Sequence, residues 1–145
     1  MKNVLTLGAA GILGSEITFQ LEQPEIRQTC YDIRKIHYFR SNGINICADV
    51  FDETALRKAA EGQDFVVCSL NGDWLSQARN IISVLSGRCD VRIIWVTGMG
   101  IHNEVAGIYG AMWRGYAIMY PDYIKAAFRN SVHADTHCRP HRIRR

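Results

Sequence analysis

A glycine-rich segment near the amino terminus, Gly8-Ala-Ala-Gly-Ile-Leu-Gly14, is the part of the sequence best suited to binding chemistry. It follows a short apolar stretch typical of a strand, and it opens a segment with helical spacing of apolar residues. Gly8 permits a tight turn, Gly11 lets a phosphate approach the backbone, and Gly14 lets the helix pack closely on a sheet. Because the first N–H groups of a helix bind anions, the segment predicts a pyrophosphate site for a dinucleotide.

Alternating strands and helices are predicted around this glycine turn (residues 8–14). Apolar runs predict strands over 3–7, 29–32, 44–47, 65–70 and 91–96, and helical spacing predicts helices over 12–21, 53–61 and 74–86. The first helix has Ile12, Leu13, Ile17 and Leu21 on one face, and Asp52 and Asp73 are candidate N-caps. The alternation is typical of βαβ units. We therefore predict an α/β fold with a Rossmann-type doubly wound parallel sheet.

Two stretches of the chain do not complete this pattern. Residues 34–40 should contain a helix but show no clean period, and after Gly98 only residues 122–129 could form one. Beyond Ser131 neither helical nor strand spacing is found. The expected organisation is a single domain with an incomplete C-terminal part: a nucleotide-binding domain over residues 1–130 and a basic, disordered tail over 131–145.

Composition excludes several classes of protein. The net charge of +3 over 145 residues arises largely from arginines near the end, so a nucleic-acid surface is not predicted. No apolar run approaches the roughly 20 residues of a membrane helix, and the first residues do not resemble a signal peptide. The five cysteines are odd in number and form no Cys-x-x-Cys pair, which favours reduced thiols and a cytoplasmic location.

The tail contains a group of potential metal ligands and a cluster of arginines. The spacing of His133, His137, Cys138 and His141 matches no zinc pattern, so no metal site is predicted. The arginines between residues 139 and 145 could contact nucleic acid or an acidic partner. A solvated, disordered end is the favoured interpretation.

The spacing Gly-x-x-Gly-x-x-Gly resembles the turn of extended and atypical short-chain dehydrogenases/reductases. Residues 48–52 resemble that superfamily's G-D-V-x-D segment after the third strand, and residues 59–67 resemble its A-x-x-G-x-D-x-V approach to the fourth. Residues 93–100 resemble its fifth strand, which a Ser or Thr ends. As a set, these segments resemble the NmrA-like, NAD(P)H-binding group over residues 3–105.

The resemblance implies a cofactor site built from the carboxyl ends of the strands. Asp49 and Val50 would lie near the adenine, and Leu70, Asn71 and Thr97 would line the nicotinamide side. The turn would hold the pyrophosphate through the following residues: Gly8, Ala10, Gly11, Ile12, Leu13 and Gly14.

Asp32 and Arg34 bear on the choice between NAD and NADP. Asp32, at the predicted end of the second strand, could accept hydrogen bonds from both ribose hydroxyls, which favours NAD. Arg34 and Lys35 follow it and could instead hold a 2′-phosphate. We expect NAD to be slightly favoured.

The sequence departs from the superfamily in its catalytic pair. The only Tyr-x-x-x-Lys match is Tyr31 to Lys35, at the second strand, and Tyr116, Tyr120 and Tyr123 have no lysine four residues on. Residues 130–145 lack the expected sixth strand and resemble a truncated or frame-shifted end. Three functions follow: an NAD(P)H-dependent oxidoreductase, a non-catalytic redox sensor acting on a protein partner, or a truncated relative without activity. No catalytic residue is assigned.

Overall fold

The computed structural model describes residues 1–34, 43–96 and 106–112. The elements in chain order are β1 (Lys2–Leu7), α1 (Ile12–Gln20), β2 (Ile26–Asp32), β3 (Gly43–Cys47), α2 (Glu53–Ala60), β4 (Phe65–Cys68), α3 (Trp74–Leu85) and β5 (Arg92–Trp95). The chain divides into two compact units. One comprises Met1–Gly72 with Arg79–Val96 and holds the whole sheet. The other comprises Asp73–Ala78 with Thr97–Arg145, and its described part includes a helical segment at residues 107–112.

The five strands form one parallel sheet in the order β3-β2-β1-β4-β5. The order runs outward from β1 in one direction to β3 and then in the other direction to β5, so it reverses between β1 and β4. Ligands of open α/β sheets bind beyond the carboxyl ends of the strands at such a switch point. The predicted α/β fold with a Rossmann-type parallel sheet is confirmed, and the glycine turn lies at this switch point, directly after β1.

One face of the sheet carries the main hydrophobic core. Leu5 and Leu7 of β1 are in register with Val66 and Cys68 of β4, so these side chains share a face. The core residues, which come from the strands, the β3–α2 loop, α2 and α3, are Leu5, Leu7, Tyr31, Val50, Leu56, Ala59, Ala60, Val66, Cys68, Ile81, Val84 and Leu85. Burial of so much apolar surface is the principal force that holds α2 and α3 on this face.

Helix α1 lies over the opposite face and packs through small residues. Gln28 of β2 is in register with Val4 on that face, and its side-chain amide donates to the Thr18 carbonyl of α1 at 3.1 Å. Gly14 and Thr18, one helical turn apart, are the buried residues of α1. The predicted apolar face of α1 is therefore wrong at its start, because Ile12 is 97% and Leu13 48% exposed beyond the edge of the sheet.

The predicted helix caps are present. The Asp52 carboxylate accepts from the Ala55 N–H at 2.9 Å, and that of Asp73 accepts from the Ser76 N–H at 3.2 Å. Each bond satisfies a backbone donor that the first turn of a helix leaves without an intrahelical partner. Local side-chain chemistry thus fixes where α2 and α3 begin.

Several predictions lie outside the described residues. These are the helix expected within 34–40, apart from its first residue, and the helix at 122–129, with the tail, its histidines and its arginines. Within the described ranges, no helix combines the length and the hydropathy that a membrane span requires.

Candidate functional site

The glycine turn connects β1 to α1 and is held against both neighbouring strands. The Gly8 N–H donates to the Tyr31 carbonyl of β2 at 2.9 Å. On the other side, a Cβ at Gly8 would lie 2.2 Å from the Ser69 carbonyl oxygen, and its φ of +80° is a conformation that side chains disfavour. Gly8 is therefore required by the backbone itself, before any ligand is considered.

Gly14 brings the first turn of α1 onto the glycine turn. A Cβ at this position would lie 2.0 Å from the Gly8 carbonyl oxygen, which is far inside van der Waals contact. The absence of a side chain thus sets the distance between α1 and the end of β1. As predicted, this glycine serves helix packing.

Gly11 differs from Gly8 and Gly14, because a side chain there would be tight but not excluded. Its φ is −74°, and a Cβ would meet the Gly8 carbonyl oxygen at 3.2 Å and the Arg34 Nη2 at 3.8 Å. A small displacement would relieve the first contact. The reason for glycine at position 11 must then be sought in what approaches the turn from outside.

The amino end of α1 has the features of a helix end that can bind an anion. Gly11 is its N-cap and supplies no side-chain cap, and the first turn has no acidic residue. Helix α2, in contrast, begins with the Asp52 cap and with Glu53 in its first turn. The first N–H groups of a helix lack intrahelical partners and carry its positive dipole end. At α1 these are the N–H groups of Ile12, Leu13 and Gly14, which suit a phosphate oxygen.

Asp32, the last residue of β2, is bonded to the glycine turn. Its Oδ2 accepts from the Ala10 N–H at 2.9 Å, and its Oδ1 accepts from the Arg34 N–H at 2.9 Å. Burial on its own would raise the pKa of this carboxyl group. The hydrogen bonds from the Arg34 side chain, the Arg34 N–H and the Ala10 N–H outweigh burial and hold the pKa below its ordinary value of 3.8.

Arg34 forms an ion pair with Asp32 beside the turn. Its Nε lies 3.0 Å from Oδ1 and its Nη2 lies 3.3 Å from Oδ2. The arginine side chain is 60% exposed, whereas that of Asp32 is only 4% exposed. The carboxylate is therefore fixed to the scaffold, and the guanidinium lies over it close to Gly11.

The predicted adenine-side residues lie in the loop between β3 and α2. Asp49 is exposed, and its carboxylate accepts from the Phe51 N–H at 3.0 Å. Val50 is 8% exposed and packs in the core. Sequence reasoning missed Tyr31 and Asn80, whose side chains donate to the carbonyls of Asp49 and Val50. A buried tyrosine needs a hydrogen-bond partner for its hydroxyl, but the sequence around it does not identify that partner.

On the side of β4, the structure places Leu70 and Asn71 beyond the end of the strand. Leu70 is half-buried against the core, and its Cδ2 would lie 3.3 Å from a Cβ on Gly8, so it borders the glycine turn. Asn71 is exposed. Thr97 lies outside the described residues, as do Tyr116, Tyr120 and Tyr123.

Tyr31 does not have the surroundings of an acid catalyst. It is fully buried, and its hydroxyl donates to the Asp49 carbonyl at 2.7 Å. Burial first, and then the charges of Asp52 and Asp49, raise its pKa to about 12. The single Tyr-x-x-x-Lys match thus contains a structural phenol.

The chain is similar to known proteins in sequence and in fold. Residues 8–144 match the sequence model of a family described as NAD(P)H-binding. A Rossmann-fold NAD(P)-binding family protein from Shigella flexneri is 35% identical, with a TM-score of 0.62 over 81% of this chain and 61% of that one. The chain thus spans less than two thirds of that protein's length. No match was found among curated protein sequences.

Two more distant structures share the fold. A short-chain dehydrogenase/reductase from Veillonella parvula in complex with NADP is 19% identical, with a TM-score of 0.68 over 86% of this chain and 59% of that one. A uronate dehydrogenase variant from Agrobacterium tumefaciens complexed with NAD is 20% identical, with a TM-score of 0.59 over 68% of this chain and 41% of that one.

Proposed function

Since the chain belongs to the NAD(P)H-binding family, we propose that it binds the pyrophosphate of NAD(H) or NADP(H) at the glycine turn and is an oxidoreductase of the NmrA-like group. The observation that carries the proposal is the amino end of α1 at the switch point of the sheet, where the N-cap supplies no side-chain cap and the first turn has no acidic residue. The N–H groups of Ile12, Leu13 and Gly14 can meet the charge of a pyrophosphate there. The Ala10 N–H, in contrast, is already bonded to the Asp32 carboxylate. In such an enzyme the cofactor supplies the hydride, and the protein binds and orients it.

The Asp32–Arg34 pair supports a slight preference for NADH over NADPH. Asp32 is a buried, ionised carboxylate that is fixed to the turn through the Ala10 N–H. A 2′-phosphate brought to this carboxylate is repelled, whereas a 2′-hydroxyl can donate to it once the exposed guanidinium moves aside. Because Arg34 neutralises part of the repulsion, the preference we propose is below about tenfold, or about 1.4 kcal/mol.

Replacement of Gly11 by valine tests the proposed site. A Cβ at this position requires the Gly8 carbonyl to shift by only a few tenths of an ångström, so Gly11→Val should keep the fold at some cost in stability and block the approach of the phosphates. We expect the NADH dissociation constant, measured by calorimetry, to rise more than tenfold, or about 1.4 kcal/mol. Unchanged binding in this variant would contradict the proposed site.

Gly87→Ala is the matched control for a glycine substitution. Gly87 lies between α3 and β5, at the opposite end of the sheet, with a φ of +82° and nothing within 4 Å of a Cβ. The added methyl should lower the free energy of unfolding by about 1 kcal/mol through backbone strain. It should leave the NADH dissociation constant unchanged.

A non-catalytic redox sensor is the second candidate function. One sequence observation favours it: no tyrosine after β5 is followed by a lysine four residues on. A phenol without such help titrates near 10, far from neutral pH. On a panel of aldehydes, ketones and quinones, a sensor binds NADH without turnover. Rapid NADH oxidation that is lost in Tyr116→Phe, Tyr120→Phe or Tyr123→Phe would identify the oxidoreductase.

We also propose that the protein works in the reducing cytoplasm. Cys30 is buried within β2, and burial raises the pKa of its thiol to about 12. Such a thiol packs as a small apolar side chain and resists oxidation. All five cysteines should react with a thiol reagent after denaturation without reductant, and a disulfide would argue against this location.

A further inference from the structure

The loop between β3 and α2 is tied down by two side chains from distant parts of the chain. The Tyr31 hydroxyl, from β2, donates to the Asp49 carbonyl at 2.7 Å. The Asn80 side-chain amide, from α3, donates to the Val50 carbonyl. The two bonds join residues that are 18 and 30 positions apart in the sequence, so tertiary structure places them.

Bonds within the loop complete this arrangement. The Phe51 N–H donates to the Asp49 carboxylate at 3.0 Å, and the Asp52 N–H donates to the Asp49 carbonyl at 2.9 Å. Two successive carbonyls, those of Asp49 and Val50, are therefore both held. The orientation of each peptide unit in this stretch is then set before any ligand arrives.

Because a peptide unit is planar, the hydrogen bond from Tyr31 to the Asp49 carbonyl also fixes the direction of the next backbone N–H. In a trans peptide the C=O of one residue and the N–H of the next point in opposite directions. Because the Asp49 carbonyl points at the buried Tyr31 hydroxyl, the Val50 N–H points away from that hydroxyl. The loop thus holds a backbone donor, beside the exposed Asp49, in a fixed orientation.

The two side chains that hold the loop, those of Tyr31 and Asn80, are themselves held in place by the fold. Tyr31 is fully buried, and its pKa of about 12 keeps the phenol protonated, and therefore a donor, over the whole neutral range. Asn80 lies on α3, next to the core residue Ile81. A loop that is already built in its binding conformation avoids the free energy of ordering when a ligand binds.

We propose that Tyr31 and Asn80 are positioning residues for the adenosine half of the dinucleotide, which they serve by holding the loop at Asp49 and Val50. The inference rests on the proposed function and on where the loop lies: the Ala48 N–H donates to the Asp32 carbonyl at 3.1 Å, so the loop leaves β3 beside the residue proposed to meet the ribose. Neither side chain needs to contact the nucleotide. Their effect is on the orientation of the loop backbone.

Binding of ADP, which carries the adenosine half alone, tests the inference. Tyr31→Phe removes only the hydroxyl group, and Asn80→Ala removes the amide. We expect each variant to raise the dissociation constants of ADP and NADH about three- to tenfold, as loss of one hydrogen bond implies. Nicotinamide mononucleotide, which lacks the adenosine half, should compete with NADH bound to each variant at the inhibition constant found for the unmutated protein.

Asn3→Ala is the matched control for the loss of an amide. The Asn3 side-chain amide donates to the Gly62 carbonyl at 2.8 Å, at the amino-terminal ends of the strands, and this bond joins residues 59 positions apart. Asn3→Ala should reduce stability much as Asn80→Ala does and leave ADP binding unchanged.

The outcomes separate this inference from the proposed function. If the unmutated protein binds NADH, and Tyr31→Phe and Asn80→Ala bind ADP as tightly as it does, the inference is wrong and the proposed function stands. An equal loss of ADP affinity in Asn3→Ala would also contradict it, because the effect would then be general destabilisation. If the unmutated protein binds neither NADH nor ADP, the proposed function fails and the inference falls with it.

Discussion

Among the single residues of the site, Asp32 has one role that the structure shows, in holding the glycine turn, and one that we propose, in binding the ribose. It ends β2, where an acidic residue can meet the ribose of a dinucleotide, and its Oδ2 also accepts the Ala10 N–H of the glycine turn. Both carboxylate oxygens of Asp32 already accept hydrogen bonds, and two of these bonds come from the Arg34 side chain. Cofactor preference should therefore depend on the pair rather than on the carboxylate alone.

Removal of each of the two charges in turn tests the cofactor preference. In the unmutated protein we expect NADH to bind more tightly than NADPH, by less than about tenfold. Asp32→Ala removes the repulsion and should narrow or reverse the preference, whereas Arg34→Ala should increase it by weakening NADPH. Arg27 is an exposed charged residue early in β2, so Arg27→Ala serves as the control and should change neither dissociation constant. Tighter binding of NADPH to the unmutated protein would mean that Arg34 dominates.

The lowered pKa of Asp32 predicts how stability depends on pH. A carboxyl group whose pKa is lower in the folded state stabilises that state fully above its unfolded pKa, near 3.8. This contribution is lost as the pH falls through the lowered folded value. In urea unfolding at pH 6 and at successively lower pH, the stability advantage of the unmutated protein over Asp32→Asn should shrink below pH 3.8. An advantage that stayed constant with pH would show that the ionised carboxylate contributes no stability.

At the scale of the elements, the sequence predicted β1 to β5 and α1 to α3, though not all of their limits, and it missed the helical segment at residues 107–112. Apolar runs are visible in β1 and β4, because their residues are buried. β2 begins at Ile26, three residues before the predicted start at Thr29. The intervening Arg27 and Gln28 show no strand pattern, and their place in the sheet comes from pairing with Asn3 and Val4. Tertiary pairing of this kind is not encoded in local periodicity.

In helix α1 the sequence pattern predicted burial that the structure does not show. Its apolar residues predicted a buried face that includes Ile12 and Leu13, yet the helix packs through Gly14 and Thr18. Close approach to the sheet selects small residues at the contact, so the apolar side chains at the start of the helix remain outside. They border the glycine turn, where a ligand would cover them.

Gly14→Ala tests the packing of α1 as an element. Its methyl group would overlap the Gly8 carbonyl oxygen, so the start of the helix must move away from β1. We expect a loss of about 1–3 kcal/mol in the free energy of unfolding, with weaker NADH binding as well. Gly11→Val should weaken NADH binding with a smaller loss of stability, because its Cβ would lie 3.2 Å rather than 2.0 Å from the Gly8 carbonyl oxygen. Equal stability of Gly14→Ala and the unmutated protein, measured by urea denaturation, would contradict the packing described.

At the scale of the whole molecule, the topology determines the location of the candidate site. Parallel strands in the order β3-β2-β1-β4-β5 bring the glycine turn, Asp32 and Leu70 to one edge of the sheet. The sequence could predict these residues because each follows a recognisable strand. It could not predict Tyr31 or Asn80 as supports of the β3–α2 loop, because their partners are backbone carbonyls far away in the chain.

Titration of the unmutated protein with NADH and NADPH in a calorimeter tests whether this fold binds a dinucleotide. We predict saturable binding of both at one site per chain, with NADH the tighter of the two. Gly11→Val should abolish most of the heat, since the phosphates must approach the backbone at that position. Absence of binding for both cofactors, in protein shown by its thermal transition to be folded, would contradict dinucleotide binding at the glycine turn.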